Sequence, residues 1–401
     1  MPFTITPNVA QYGGADWSNF IKTVPNCTPQ SAQRIARADP NIGFFFYCRG
    51  LLVLDGHPPF NPGDAVFFSG APWPGSAPQA DIYQKDVFTM VYVMTNTSSL
   101  ANAGCYTLAD GRQFFDFVSV FAANLDGPPN VPVLTFTLPV NASLYDTDDV
   151  KKLQNLGITV VLSVVNNWSK AGWSEFTDQT AAQWFVDQLV AAVDRFGLDG
   201  IDIDDEYSIG TVTDTNLAMV TTLLRQALPG KIVSKALFDD SQYFGPTWNG
   251  HTLTGNLTYG WEMSYFDPNY AGRLQPYVDA GMSKNQLAIG VDTSRTDGPA
   301  AASFVRQSGY GGIMVFNVTK DSTSYSPASR TPSTARIRSR RRAASSDGRM
   351  RHAKKARGEP RALEGRSEAR LRLQPGAAPS TLAGSTFTPG PMVEEIAIRS
   401  I

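Results

Sequence analysis

The stretch Leu198-Asp199-Gly200-Ile201-Asp202-Ile203-Asp204-Asp205-Glu206-Tyr207 starts as an apolar strand and gathers carboxylates toward its C-terminal end. Alternate side chains of a strand share a face. Asp202, Asp204 and Glu206 therefore point one way, and Ile201 and Ile203 the other. Three carboxyls, about 7 Å apart at each two-residue step, repel one another in a partly dry pocket. The expected result is a shared proton and a raised proton affinity for one member. A general acid working near neutral pH needs that raised affinity. Glu206 has the longest reach and stands nearest the strand end, so it is the natural donor. Asp205 falls on the opposite face and reads as structural support. Two blander readings stay open at this point. The cluster could hold a hard cation, although such ligands ordinarily lie on a loop, or it could be an exposed acidic turn.

Outward from this strand, short apolar runs alternate with helical patterns from about Asp86 to Thr323. The strand candidates are Val87–Thr95, Phe117–Asn124, Val133–Thr137, Thr159–Val165, Gly200–Asp204, Ile232–Ala236, Thr258–Tyr265, Gln286–Val291 and Gly312–Phe316. The clearest helix lies in Asp178–Phe196, where Ala182, Phe185, Val186, Leu189, Ala192, Val193 and Phe196 recur at helical spacing; Asn216–Leu228 is another. Apolar strands separated by helices imply a parallel sheet covered on both faces. About eight such units predict an α/β fold, a (β/α)8 TIM barrel, whose catalytic groups stand at the C-terminal strand ends. One of the nine candidates is then surplus, and Val133–Thr137 is the suspect.

The ends differ from this centre. Residues 1–85 are rich in Pro and Gly and read as a small α+β module with strands near Gly43–Tyr47 and Ala65–Phe68. The module packs on the main domain or serves as a sugar-binding accessory. From about Ser324 the chain is dense in Arg, Ala, Ser and Gly. Such a segment buries too little to offset chain entropy, so residues 324–401 are expected to be a disordered basic tail. From Arg330 onward there are 16 Lys or Arg against 6 Asp or Glu, which leaves 18 basic and 30 acidic residues in the rest. An acidic body argues against a nucleic-acid groove and does not oppose a neutral glycan.

No run of about 18 apolar residues suggests a membrane span. Cys27, Cys48 and Cys105 show no zinc or disulfide spacing, and the three histidines form no close pair, so no metal and no cofactor are expected. The start, Met-Pro-Phe-Thr-Ile-Thr-Pro, lacks the n- and h-regions of a secretory signal. A cytoplasmic monomer is the expectation, with unconventional export as an alternative.

Asp199, Asp202, Asp204 and Glu206 fill every fixed position of Asp-x-x-Asp-x-Asp-x-Glu, and here the chain resembles glycoside hydrolase family 18. The flanking Gly197-Leu198-Asp199-Gly200 and Asp204-Asp205-Glu206-Tyr207 are similar to the endo-β-N-acetylglucosaminidases of the Endo H type. So are Tyr106 to Gly111, Phe121-Ala122-Ala123-Asn124, Val161 to Val164 and Phe316-Asn317. The resemblance covers about Phe88 to Val318. It implies hydrolysis of the β-1,4 bond in the GlcNAc-GlcNAc core of an N-linked glycan or glycoprotein, by a retaining, substrate-assisted mechanism.

In that scheme Glu206 is acid then base, Asp204 orients the acetamido group, and Asp202 holds Asp204. Tyr265 would bond the acetamido oxygen, although the family's Met-x-Tyr-Asp reads Met263-Ser264-Tyr265-Phe266-Asp267 here. Glu262 stands where the Endo H type has Asn. Ser163, Asn166, Trp168, Asn124, Trp261 and Asn317, at strand ends or in following loops, are the candidate sugar contacts, with Trp173 beside them. Asp199 reads as fixing the strand entry. The competing functions are a chitinase and a carbohydrate-binding protein without turnover.

Overall fold

The computed structural model describes residues 3–11, 17–108, 111–294, 296 and 298–318, with the backbone of 338–339. The tail expected from 324 onward lies outside the described side chains.

The chain opens with five antiparallel strands, β1 (Phe3–Gln11), β2 (Phe20–Val24), β3 (Phe44–Cys48), β4 (Ala65–Phe68) and β5 (Pro74–Lys85), in the order β1-β5-β3-β4-β2. Helix α1 (Pro29–Ala38) precedes β3; Thr28 caps it by accepting from the Ser31 N–H, and Pro29 occupies its first turn. The run Phe44-Phe45-Phe46 divides by strand alternation. Phe44 and Phe46 pack with Val66 and Phe68 on one face. Phe45 turns to the other face, with Phe67, Tyr83 and the buried Ala32 and Ala36 of α1.

Eight parallel strands then close on themselves. They are β6 (Phe88–Met94), β7 (Phe117–Asp126), β9 (Thr159–Asn166), β10 (Gly200–Asp204), β11 (Ile232–Leu237), β12 (Tyr259–Glu262), β13 (Leu287–Asp292) and β14 (Gly312–Phe316). β14 pairs with β6, β6 with β7, and β7 with β9, which completes the ring. The ninth candidate, β8 (Val133–Phe136), runs back antiparallel against the end of β7 and stays outside the closed ring. The helices between strands are α2 (Leu138–Tyr145), α3 (Asp149–Asn155), α4 (Gln179–Phe196), α5 (Asn216–Ala227), α6 (Leu253–Asn256), α7 (Tyr270–Asp279) and α8 (Gly298–Ser308).

Helix α4 illustrates why the pattern folds this way. Asp178 caps its start by accepting from the Ala181 N–H, and Gly197 ends it in the left-handed region at φ 63°. Phe185, Val186, Leu189 and Val193 form its buried stripe against Ile201 and Ile203 of β10. Each such side chain contributes about 1.5–3 kcal/mol when fully buried.

The N-terminal sheet and α1 cover one end of the barrel. Arg37 of α1 makes a buried ion pair with Asp116 (3.2 Å), immediately before β7. The Tyr259 hydroxyl, at the start of β12, donates to the Arg37 carbonyl (2.6 Å), and the Asn285 amide donates to the Pro40 carbonyl (3.0 Å). All of these barrel residues lie at N-terminal strand ends. None of these contacts, among the described residues, reaches the C-terminal ends, where barrels carry chemistry.

Candidate active site

Strand β10 is buried along its whole length, and its two faces differ in chemistry. Ile201 and Ile203 join the apolar layer beneath the helices, while Asp202 turns into the barrel beside Tyr92 and Trp261. Asp202 is held from three other strands. The Tyr92 hydroxyl donates to Oδ2 (2.8 Å); the Ser234 hydroxyl (2.6 Å) and the Trp261 indole N–H (2.8 Å) donate to Oδ1. Burial pushes its proton affinity above the ordinary aspartate value, and these three donors oppose that rise.

Asp204, one step nearer the mouth, is raised much further. Burial is the first cause, followed by the charges of Glu206 and Asp202. Its Oδ1 is buried and has no hydrogen-bond partner among the described residues. Glu206 is half-buried and also raised, by burial first, with Lys235 pulling it down and Asp205 pushing it up. It lines a cavity of about 210 Å³ together with Asp205, Ser174, Lys235, Phe238 and Tyr243. Carboxyls coupled through one another's charge titrate as a set rather than one by one.

Tyr265 lies beyond the strand rather than on it, because β12 ends at Glu262. Glu262 does not face the site. It forms a buried ion pair with Arg273 of α7 and accepts from the Ser264 N–H (2.8 Å), and this turns the chain away. Arg273 also donates to the carbonyls of Asp267 and Gly290 (3.0 Å each), which fixes the loop carrying Tyr265. The Tyr265 ring stacks on Phe316 at 5.6 Å. Burial, then the charges of Asp204 and Glu206, keep its hydroxyl protonated.

The other candidates fall into two groups. Trp261 is fully buried and spends its N–H on Asp202, so it supports the carboxylate instead of offering a sugar face. Ser163 is fully buried opposite Asp202 in the strand register. Asn166 donates to Asp205 (3.2 Å), Trp173 is buried with its N–H on the Val164 carbonyl, and Asp199 accepts from Gln154 and from the Val160 N–H below the barrel. By contrast Trp168 is 66% exposed, and its ring lies 5.3 Å from that of Tyr207, 50% exposed, the residue after Glu206. Asn124 and Asn317 are partly exposed at the ends of β7 and β14; Asn317 makes a 2.9 Å contact with the Met94 sulfur.

Proteins of known kind resemble this chain. An endo-β-N-acetylglucosaminidase from Flavobacterium sp. (strain SK1022) is 33% identical over 261 residues, which is 61% of this chain and 79% of that protein. The chain belongs to the endo-β-N-acetylglucosaminidases of glycoside hydrolase family 18. Endo-β-N-acetylglucosaminidase F1 of Elizabethkingia meningoseptica is 26% identical over 247 residues, 56% of the chain and 68% of that protein. The crystal structure of Bacteroides thetaiotaomicron EndoBT-3987 with a Man5GlcNAc product superposes with a TM-score of 0.55. It is 15% identical, over 84% of this chain and 92% of that one, and the likeness is one of fold. No family model matches the chain.

The candidate site of this glycoside hydrolase also contains residues that the sequence motif does not single out. Tyr92 and Ser234 hold Asp202 from β6 and β11, and Lys235 and Asp240 stand behind Glu206. A lysine inside the apolar strand Ile232-Val233-Ser234-Lys235-Ala236-Leu237 was the one available signal, since a buried ammonium requires a partner.

Proposed function

We propose that the enzyme hydrolyses the β-1,4 bond between the two core GlcNAc residues of an N-linked glycan, with retention, through an oxazolinium formed by the substrate itself. The observation that carries this reading is the single-file row Asp202, Asp204, Glu206, with Glu206 alone reaching the cavity and all three proton affinities raised. Glu206 protonates the leaving oxygen. The 2-acetamido carbonyl attacks the anomeric carbon as the C–O bond to the leaving group breaks; Glu206 then takes a proton from a water that bonds to the anomeric carbon as the oxazolinium C–O bond opens and the acetamide re-forms. Asp204, with its unpartnered Oδ1, is the acceptor for the acetamido N–H and offsets the developing positive charge. Asp202 holds Asp204 against its own charge. The Tyr265 hydroxyl donates to the acetamido oxygen.

The Trp168–Tyr207 pair supports a stacking surface for a sugar ring beside the scissile bond. A glycan substrate also agrees with the relatives: EndoBT-3987 has been crystallised in complex with a Man9GlcNAc2Asn substrate. The test is incubation with a high-mannose glycoprotein and, separately, a chitin oligomer, read by mass spectrometry. The expected result is one GlcNAc left on the asparagine and an intact chitin oligomer. Cleavage of chitin alone would replace this reading with that of a chitinase, and binding without cleavage would make the protein a lectin.

A further inference from the structure

Ser234 of β11 faces into the barrel and bonds Asp202, so the next residue, Lys235, faces out, opposite Ile203 in the register. Its neighbours on that face are apolar: Ile203, Val233 and Leu237 pack beneath the helices. Lys235 is only 2% exposed. Its ammonium climbs to the strand ends, donates to the Ala236 carbonyl (2.8 Å), and meets the Asp240 carboxylate in a close ion pair. Asp240 is itself fixed, because its other oxygen accepts from the Tyr277 hydroxyl of α7 (2.8 Å). An apolar residue would pack this position at less cost, since a buried ammonium loses its hydration. Lys235 instead lines the same cavity as Glu206, Asp205 and its partner Asp240.

We propose that Lys235, braced by Asp240, is a positioning residue for the reaction: its buried ammonium at the cavity wall sets the charge balance under which Glu206 alternately gives and takes a proton. The proposal rests on the reading of Glu206 as the donor. The charged and titratable groups around Glu206 come from several elements. Asp204, Asp205 and Tyr207 belong to β10 and its loop, Lys235, Asp239, Asp240 and Tyr243 to β11 and its loop. Glu175, whose proton affinity Asp205 helps to raise, comes from the loop after β9, and Tyr265 from the loop after β12. Among the described residues Lys235 is the one cation in this set, and it favours the ionised acid while Asp205 opposes it. An acid that must also act as base in the second half of the cycle needs both influences.

The test compares the pH dependence of kcat/KM for the wild type, Lys235→Met and Asp240→Asn, with melting temperatures for each. Without the ammonium, Glu206 holds its proton more tightly, and the alkaline limb moves to higher pH by about one unit. Asp240→Asn keeps the ammonium and removes its neutraliser, so the limb moves to lower pH. A residue that only supports the fold would not move the limb in opposite directions. Superimposable limbs, or shifts of the same sign, would overturn the proposal. If Lys235→Met does not fold, an unmoved limb in Asp240→Asn overturns it alone. Glu206→Gln, run in parallel, separates the two readings. An active Glu206→Gln sinks the donor assignment and this inference together, whereas an inactive one with unmoved limbs sinks only the role of Lys235.

Discussion

At the scale of single residues, the site is a gradient of satisfaction along one strand. Asp202 has three donors, Asp204 has a bare buried oxygen, and Glu206 meets solvent through the cavity. Asp204 therefore opposes folding when ionised. Its folded proton affinity lies above the unfolded value, so its favourable contribution is complete below about pH 4 and is lost as pH rises through the raised folded value. Asp204→Asn should raise the melting temperature at pH 7.5 and give little or no gain at pH 4, as differential scanning fluorimetry would record. The same variant should form its own oxazolinium slowly yet accept a preformed oxazoline donor. An unchanged melting temperature at both pH values would contradict the assignment. The row itself was legible in the sequence, because strand alternation is local. Its donors were not: Tyr92, Ser234 and Trp261 stand on three other strands and meet Asp202 only when the ring closes.

At the scale of elements, β12 and α7 decide where Tyr265 lies. The sequence predicts a strand continuing to Tyr265, but the Glu262–Arg273 pair ends it at Glu262. Both partners are buried, so removal of one leaves a lone charge in the interior. Arg273→Met should cost about 3–5 kcal/mol and reduce activity by loosening the Tyr265 loop. Glu262→Met with Arg273→Met should recover most of the stability, since two apolar side chains replace a paired charge. Urea denaturation of the two variants checks this, and equal losses in both would contradict it. The Asn expected at position 262 from the Endo H type could not reveal this pair, because Arg273 is eleven residues away on a helix. The β8 hairpin was legible as one strand too many, since a ring of eight has no place for a ninth.

At the scale of the whole molecule, the N-terminal sheet forms the floor beneath the chemistry. Phe3, Phe45, Phe67 and Tyr83 of that sheet share one apolar cluster with Phe88, Phe117 and Tyr259 inside the barrel. Calorimetry should therefore give one cooperative transition for sheet and barrel, shifted down by Arg37→Met, which strips Asp116 of its buried counter-charge. Two well-separated transitions would contradict a shared core. The sequence showed a small α+β module here and two of its strands, but β5 reads Pro-Gly-Ser-Ala-Pro-Gln-Ala-Asp before the apolar Ile82-Tyr83. Such a run carries turn residues, and only pairing with β1 and β3 makes it extended. Arg37 likewise looks like any surface arginine of an amphipathic helix until Asp116 is brought beneath it.

Glycan release and glycan binding by Glu206→Gln, measured side by side with the wild type, bear most directly on the proton-donor role. Release should fall by about 100-fold or more, while binding stays within a few-fold, since the amide keeps the shape and loses only the proton. Turnover near the wild-type rate would contradict it.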